Sequence, residues 1–127
     1  MRYIWASSSD SLEFYPGNVA AQFIIELPGT FYDVNRIALI EFGCEGLYEP
    51  VYILCDVLQR SLVHDRLQPV LCYISSSAAA GAVQNPIFVD TIRSSFQRMR
   101  FSIVTKNFEE APGLFNAHLT LALDREL

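Results

Sequence analysis

The segment LEFYPGNVAAQFIIELPG, residues 12–29, sets an apolar run between two Pro-Gly pairs. Inside the run Phe23, Ile25 and Leu27 alternate with Ile24 and Glu26. A strand turns successive side chains to opposite faces, so a period of two predicts a half-buried strand. Pro16 lacks an amide hydrogen, and Gly17 and Asn18 tolerate unusual backbone angles. Together they are expected to end one extended segment and launch the next. Pro28 and Gly29 are expected to stop the strand after Leu27. Pro16, Gly17, Asn18 and Pro28 thus read as scaffold that sets register.

The same period recurs along the chain. Ile37 and Leu39 alternate with Arg36, Ala38 and Ile40. Val51, Ile53, Cys55 and Val57 alternate with Tyr52, Leu54, Asp56 and Leu58. Met99, Phe101 and Ile103 alternate with two arginines and Ser102, and Leu119, Leu121 and Leu123 alternate with His118, Thr120 and Ala122. Shorter extended stretches cover residues 2–7, 69–74 and 86–89. The breaks between them hold Gly, Pro, Asn, Asp and Ser, which turns require. Eight short strands with such breaks predict an all-β chain, a single eight-stranded jelly-roll sandwich over residues 1–127. Short helical turns are expected within residues 57–65 and 90–97, and a loop without large side chains at SSSAAAGA, residues 75–82.

The chain has 127 residues and a net charge of -5, with 51% hydrophobic and 18% charged residues. Typical domains carry about 25% charged residues. Nine Phe and six Tyr add to an apolar load that is hard to hide in one small domain. Oligomer interfaces absorb such groups, so subunit contacts are expected. The strands at Ile37 and Val51 are apolar on both faces, and each must be covered twice. Their outward side chains, Ile40, Phe42, Tyr52 and Leu54, are the candidate subunit interface; cover by loops of the same chain is the competing reading. The acidic balance argues against a nucleic-acid partner, which calls for a basic stripe. The first nine residues carry no leader pattern, and no apolar run reaches the roughly 20 residues of a membrane helix. Both point to a protein made inside the cell and not secreted.

Three cysteines, Cys44, Cys55 and Cys72, show no paired metal spacing and read as reduced thiols. Cys55 and Cys72 fall on apolar faces, where a thiol packs as a small inert hydrophobe. His64, Asp65 and Asp56 lie close in sequence, but a metal site needs more ligands than two histidines in different contexts supply. Glu45, Glu49, Glu109 and Glu110 read as solvated carboxylates, since no paired arrangement across a cleft is evident. No nucleophile elbow or phosphate-binding loop occurs. No catalytic residue, metal or cofactor is assigned. Trp5 and the tyrosines 3, 15, 32, 48, 52 and 73 could stack on sugars in a lectin-like jelly roll, the alternative reading; they equally suit a subunit interface.

The ordered segments FYPGNVAAQFIIELPG, RIALIEFGC, VYILCDVL, LQPVLCYI, NPIFVDT and MRFSIVTKNFEEAPGLFNAHLTLAL span nearly the whole chain. In their order and spacing the chain resembles the penton-type minor capsid proteins of Polinton (Maverick) elements and adintovirus-like DNA viruses. These carry a Tyr-Pro-x-Asn turn, a strand ending in Leu-Pro and a strand with a Cys-Asp step. Where the family often places Gly after the Cys-Asp strand, this chain has His64 and Asp65. The resemblance implies a structural viral protein of the virion. Five copies would plug the fivefold vertex of an icosahedral shell, beside a double-jelly-roll major capsid protein. It brings no catalytic residues.

Overall fold

Alternation of apolar and polar side chains drives this chain into two sheets that share one dry layer. The computed structural model describes residues 2–47, 49–75, 80–83, 85–93 and 95–124. Its strands are β1 (Arg2–Ser7), β2 (Gln22–Phe31), β3 (Arg36–Glu45), β4 (Val51–Cys55), β5 (Ser61–Val63), β6 (Arg66–Gln68), β7 (Val70–Ile74), β8 (Ala80–Ala82), β9 (Val89–Asp90), β10 (Phe96–Val104) and β11 (Phe115–Asp124). The architecture is an all-β sandwich, with no helix among the described residues. The first sheet runs β1-β11-β3-β8, with β9 also on β3; the second runs β2-β10-β4-β7; β5 and β6 form a separate hairpin. All pairings are antiparallel.

The shared layer follows the predicted periods. Leu119, Leu121 and Leu123 of β11 and Ile4 and Ala6 of β1 face Phe23, Ile25, Ile53, Met99, Phe101 and Ile103 of the other sheet, all in one buried cluster. Each of these side chains larger than alanine contributes roughly 1.5–3 kcal/mol on burial. Phe23 and Phe101 pair across β2 and β10 with ring centroids 5.3 Å apart.

One expected interface residue is overturned here. Strict alternation along β3 turns Phe42 outward with Ile40. Phe42 is instead 1% exposed and belongs to the core. The cause is a bulge: Thr120 pairs with Glu41, but Leu121 pairs with Leu39, so β3 carries one extra residue at Ile40. An extra residue in one strand reverses the faces beyond it. Ile37 and Leu39 therefore point inward before the bulge and Phe42 after it.

The punctuation around β2 also works differently from expectation. The strand does not end at Leu27 but continues to Phe31. Pairing with β10 breaks there instead, since Glu26 faces Arg98 while Phe31 faces Phe96. Pro28, with no amide hydrogen to give, sits in that break. Neither Gly17 nor Asn18 adopts a positive φ. Asn18 acts through its side chain, which donates to the carbonyl of Ile24 at 2.9 Å and accepts from its N–H at 3.0 Å. Ser11 Oγ accepts from the N–H of Glu26 at 3.0 Å. β2 lies at the end of its sheet, so Asn18 and Ser11 satisfy backbone groups that would otherwise form an open edge.

Three further expectations change. Residues 57–65 form no helix; Ser61–Val63 instead pairs with Arg66–Gln68. His64 and Asp65 both have positive φ, 48° and 66°, the backbone form of a two-residue hairpin turn. Among the described residues of 90–97 no helical turn forms; β9 ends at Asp90 and β10 begins at Phe96. Of the expected loop at residues 75–82, Ala80–Ala82 pairs with β3, while residues 76–79 lie outside the described residues. The extended stretch at residues 86–89 shrinks to Val89–Asp90. Gly46 carries a turn requirement: its φ is +85°, and a Cβ there would lie 2.1 Å from the carbonyl oxygen of Gly113.

The edge-capping role of Asn18 predicts that Asn18→Ala destabilises by about 2 kcal/mol, through two unmet backbone groups. Gly17→Ala is expected to be neutral, since a Cβ there meets nothing within 4 Å. Urea unfolding of both variants checks this; equal stabilities would contradict the assignment.

Candidate interaction surfaces

The outer faces of the two sheets differ. On the second sheet Tyr52 of β4 is closed over by its own chain. Its ring stacks on Phe108, with centroids 5.7 Å apart and planes 17° apart. Tyr73 of β7 lies beside it at 5.2 Å. The Tyr52 hydroxyl hydrogen-bonds His64 Nε2 at 2.8 Å, and Arg66 sits 5.4 Å over the Phe108 ring. Phe108 itself has a φ of 60°, set in the loop between β10 and β11. The β5–β6 hairpin and this loop thus cover Tyr52 from two sides. For Tyr52 the cover comes from the same chain. Leu54, next on that face, stays partly exposed, as does Ile40 at the bulge of β3.

The hairpin turn places two non-glycine residues, His64 and Asp65, in left-handed positions. His64 spends backbone strain to occupy a left-handed position, and its bond to Tyr52 offsets that cost. Behind the turn, Leu62 and Leu67 pair directly across the hairpin and remain 72% and 60% exposed.

The β2–β10 half of the same sheet is open and cationic. Arg98 and Arg100 point outward from β10, both exposed. Arg98 lies opposite Glu26. The Tyr15 hydroxyl donates to Glu26 Oε2 at 2.5 Å. That hydrogen bond to a carboxylate holds the Tyr15 phenol above its ordinary value, with Arg98 pulling the other way. Arg36–Asp124, at the far end of the first sheet, is the only ion pair among the described residues.

On the first sheet the outer face is aromatic at the β1 edge. Trp5 is 72% exposed and Tyr3 49%, with rings 5.9 Å apart. Toward β3 the face becomes small, with Ala122 and Ala38 paired and buried. The His118 ring lies over Gly43, where a Cβ would meet it at 2.2 Å. Close stacking of the ring on the strand needs that glycine.

The groups weighed for chemistry are dispersed. Cys55 is fully buried, and burial pushes its thiol up to about 12. Cys44 and Cys72 are half-buried, with thiols also raised by burial. His64 is spent on Tyr52, while His118 stands on the other sheet. Glu45 accepts from Asn116 Nδ2 at 2.6 Å; Glu49, Glu109 and Glu110 are exposed. Among the described residues no three His, Cys, Asp or Glu side chains group as metal ligands. No helix among them is long and apolar enough to cross a membrane. Tyr48 lies outside the described residues. A scan against protein-family models finds no match for this chain, and neither does a search of curated proteins.

Two predictions test this description. Asp65→Gly removes a side chain from a left-handed position and should stabilise by about 1 kcal/mol, read as a raised melting temperature. Cys55, raised from 9.0 to about 12, contributes its full stability below pH 9 and loses it as pH climbs toward 12. At pH 10.5 the wild type should therefore have lost about 2 kcal/mol more, relative to pH 8, than Cys55→Ala. Urea unfolding at both pH values measures it; parallel losses would mean that the thiol is not sealed.

Proposed function

We propose that this chain is a single-jelly-roll capsid subunit, the penton-type plug of an icosahedral vertex. Setting aside the β5–β6 hairpin and the two-residue β9 leaves eight strands. Their orders, β1-β11-β3-β8 and β2-β10-β4-β7, place the first strand beside the last, and the second beside the second-last. This nesting supports the jelly-roll reading, in which two Greek keys wrap one core. It is also the observation that carries the functional reading, because it spans the segments on which the resemblance to penton-type proteins rests. A structural role is supported further by the exposed Trp5–Tyr3 pair on the outer face of the first sheet, since adjoining exposed aromatics suit an interaction surface.

On this reading five copies close a ring through a heterologous contact, one patch meeting a different patch next door. The major capsid protein of the shell, a double jelly roll, would surround it. The protein would reside in the virion. Ile40 and Leu54 remain candidate ring contacts, one on each outer face.

A second reading, a lectin-like binding module, draws on the same Trp5–Tyr3 pair, since exposed aromatic rings stack on sugars. Absolute mass by light scattering on a sizing column separates the two. The capsid reading expects five times the 14.3 kDa chain mass. A monomer that binds glycans through Trp5 would favour the second reading.

A further inference from the structure

We infer that the ring contact is face to sheet face: Trp5 of one copy seats in the depression beside Arg100 of the next, with Glu41 set against Arg98. This rests on the ring-forming reading above and names its surfaces.

Trp5 is the most exposed aromatic on the first sheet, and no cation lies over its ring among the described residues. Glu41 stands on the same face, exposed and without an ion-pair partner among the described residues. Trp5 pairs with Thr120, and Thr120 with Glu41, so the two are separated by two strand spacings, about 10 Å. The first sheet thus presents an indole and a carboxylate at a fixed separation.

The second sheet presents the complement. Arg98 and Arg100 lie two residues apart on β10 and point the same way. The backbone N–H of Arg100 bonds Asp56, but its guanidinium has no ion-pair partner among the described residues. Beside it lies a depression of about 340 Å³ lined by Phe14, Tyr15, Pro16, Ile24 and Arg100, with Asn18 and Gln22 among its polar groups. A hollow of mixed character with a guanidinium in its lining suits an indole, because an arginine near an aromatic face is attracted by the ring's quadrupole and the indole N–H needs a polar partner. On the other half of this sheet Phe108 and the hairpin cover Tyr52, which leaves the β2–β10 side the more open to a partner.

The occupant is a second copy of this chain, on charge complementarity. The chain is acidic overall, yet two of its nine basic residues project together from one strand. Their partner face on a neighbour offers the unpaired Glu41 and the uncovered Trp5. The two faces belong to opposite sheets, so one copy can use both at once. Such a contact is heterologous and closes a ring when the rotation allows. Trp and Arg are also among the residue types enriched at the few positions that dominate interface energetics.

The test measures absolute mass in solution for the wild type, Trp5→Ala, Glu41→Arg, Arg98→Glu, and Glu41→Arg with Arg98→Glu in one chain. All three positions changed are exposed, so folding should survive, checked by an unchanged melting temperature. The wild type should be a ring, and each single variant should fall apart at least tenfold more readily on dilution. The double variant should regain assembly. In a one-to-one mixture of Glu41→Arg with Arg98→Glu, alternating copies restore opposite charges at all contacts of a five-membered ring but one, so the mixture should assemble more readily than either variant alone and less readily than the wild type. If the wild type forms a ring and Trp5→Ala and the charge variants leave it intact, these faces are wrong while the ring reading stands. A monomeric wild type overturns both.

Discussion

Leu119, Leu121 and Leu123 from one sheet and Met99, Phe101 and Ile103 from the other must share one dry layer. That requirement governs the rest of the molecule. It fixes the register of β11 against β1 and β3, because a slip of one residue would turn the leucines to solvent. It forces the bulge at Ile40 to bring Phe42 back inside after Leu39. Everything that stands outward is then surplus to the core and open to another use.

The edges and outer faces show how the chain deals with that surplus. Asn18 and Ser11 close the free edge of β2 with side-chain amide and hydroxyl groups, an economical way to prevent unwanted strand pairing. The β5–β6 hairpin and the Phe108 loop fold over Tyr52. The open remainder is uneven: aromatic at the β1 edge and cationic along β10. Such unevenness is costly to a solitary domain and useful to an assembling one. On the proposed capsid reading it becomes the contact between neighbours.

The way each outward residue is treated separates packing from function more sharply than residue type does. Tyr52 is a polar-tipped aromatic that the chain covers with Phe108 and His64. Trp5, of the same chemical kind, is left uncovered. The cysteines follow the same logic: burial holds Cys55 protonated, so it packs as a hydrophobe and offers no nucleophile at neutral pH.

Alternation in the sequence by itself determined the all-β class, the location of the long strands and most of the core, because a period of two maps directly onto the faces of a strand. Leu119, Leu121, Leu123, Met99, Phe101, Ile103 and Cys55 were all legible this way. Turn chemistry was legible only in part. Pro16, Gly17 and Asn18 marked a boundary, but that Asn18 caps an edge depends on where β2 lies in the sheet. The tertiary structure alone decided which residues face out. Phe42 went inward because a bulge inserts one residue relative to β11, and a single strand's sequence contains no record of its partner's count. The hairpin at His64–Asp65 was equally hidden, since neither residue is the glycine that usually signals a left-handed turn and the stabilising bond comes from Tyr52, twelve residues away. Cover of Tyr52 and exposure of Trp5 are likewise set by distant loops, whose placement follows from packing and not from local pattern.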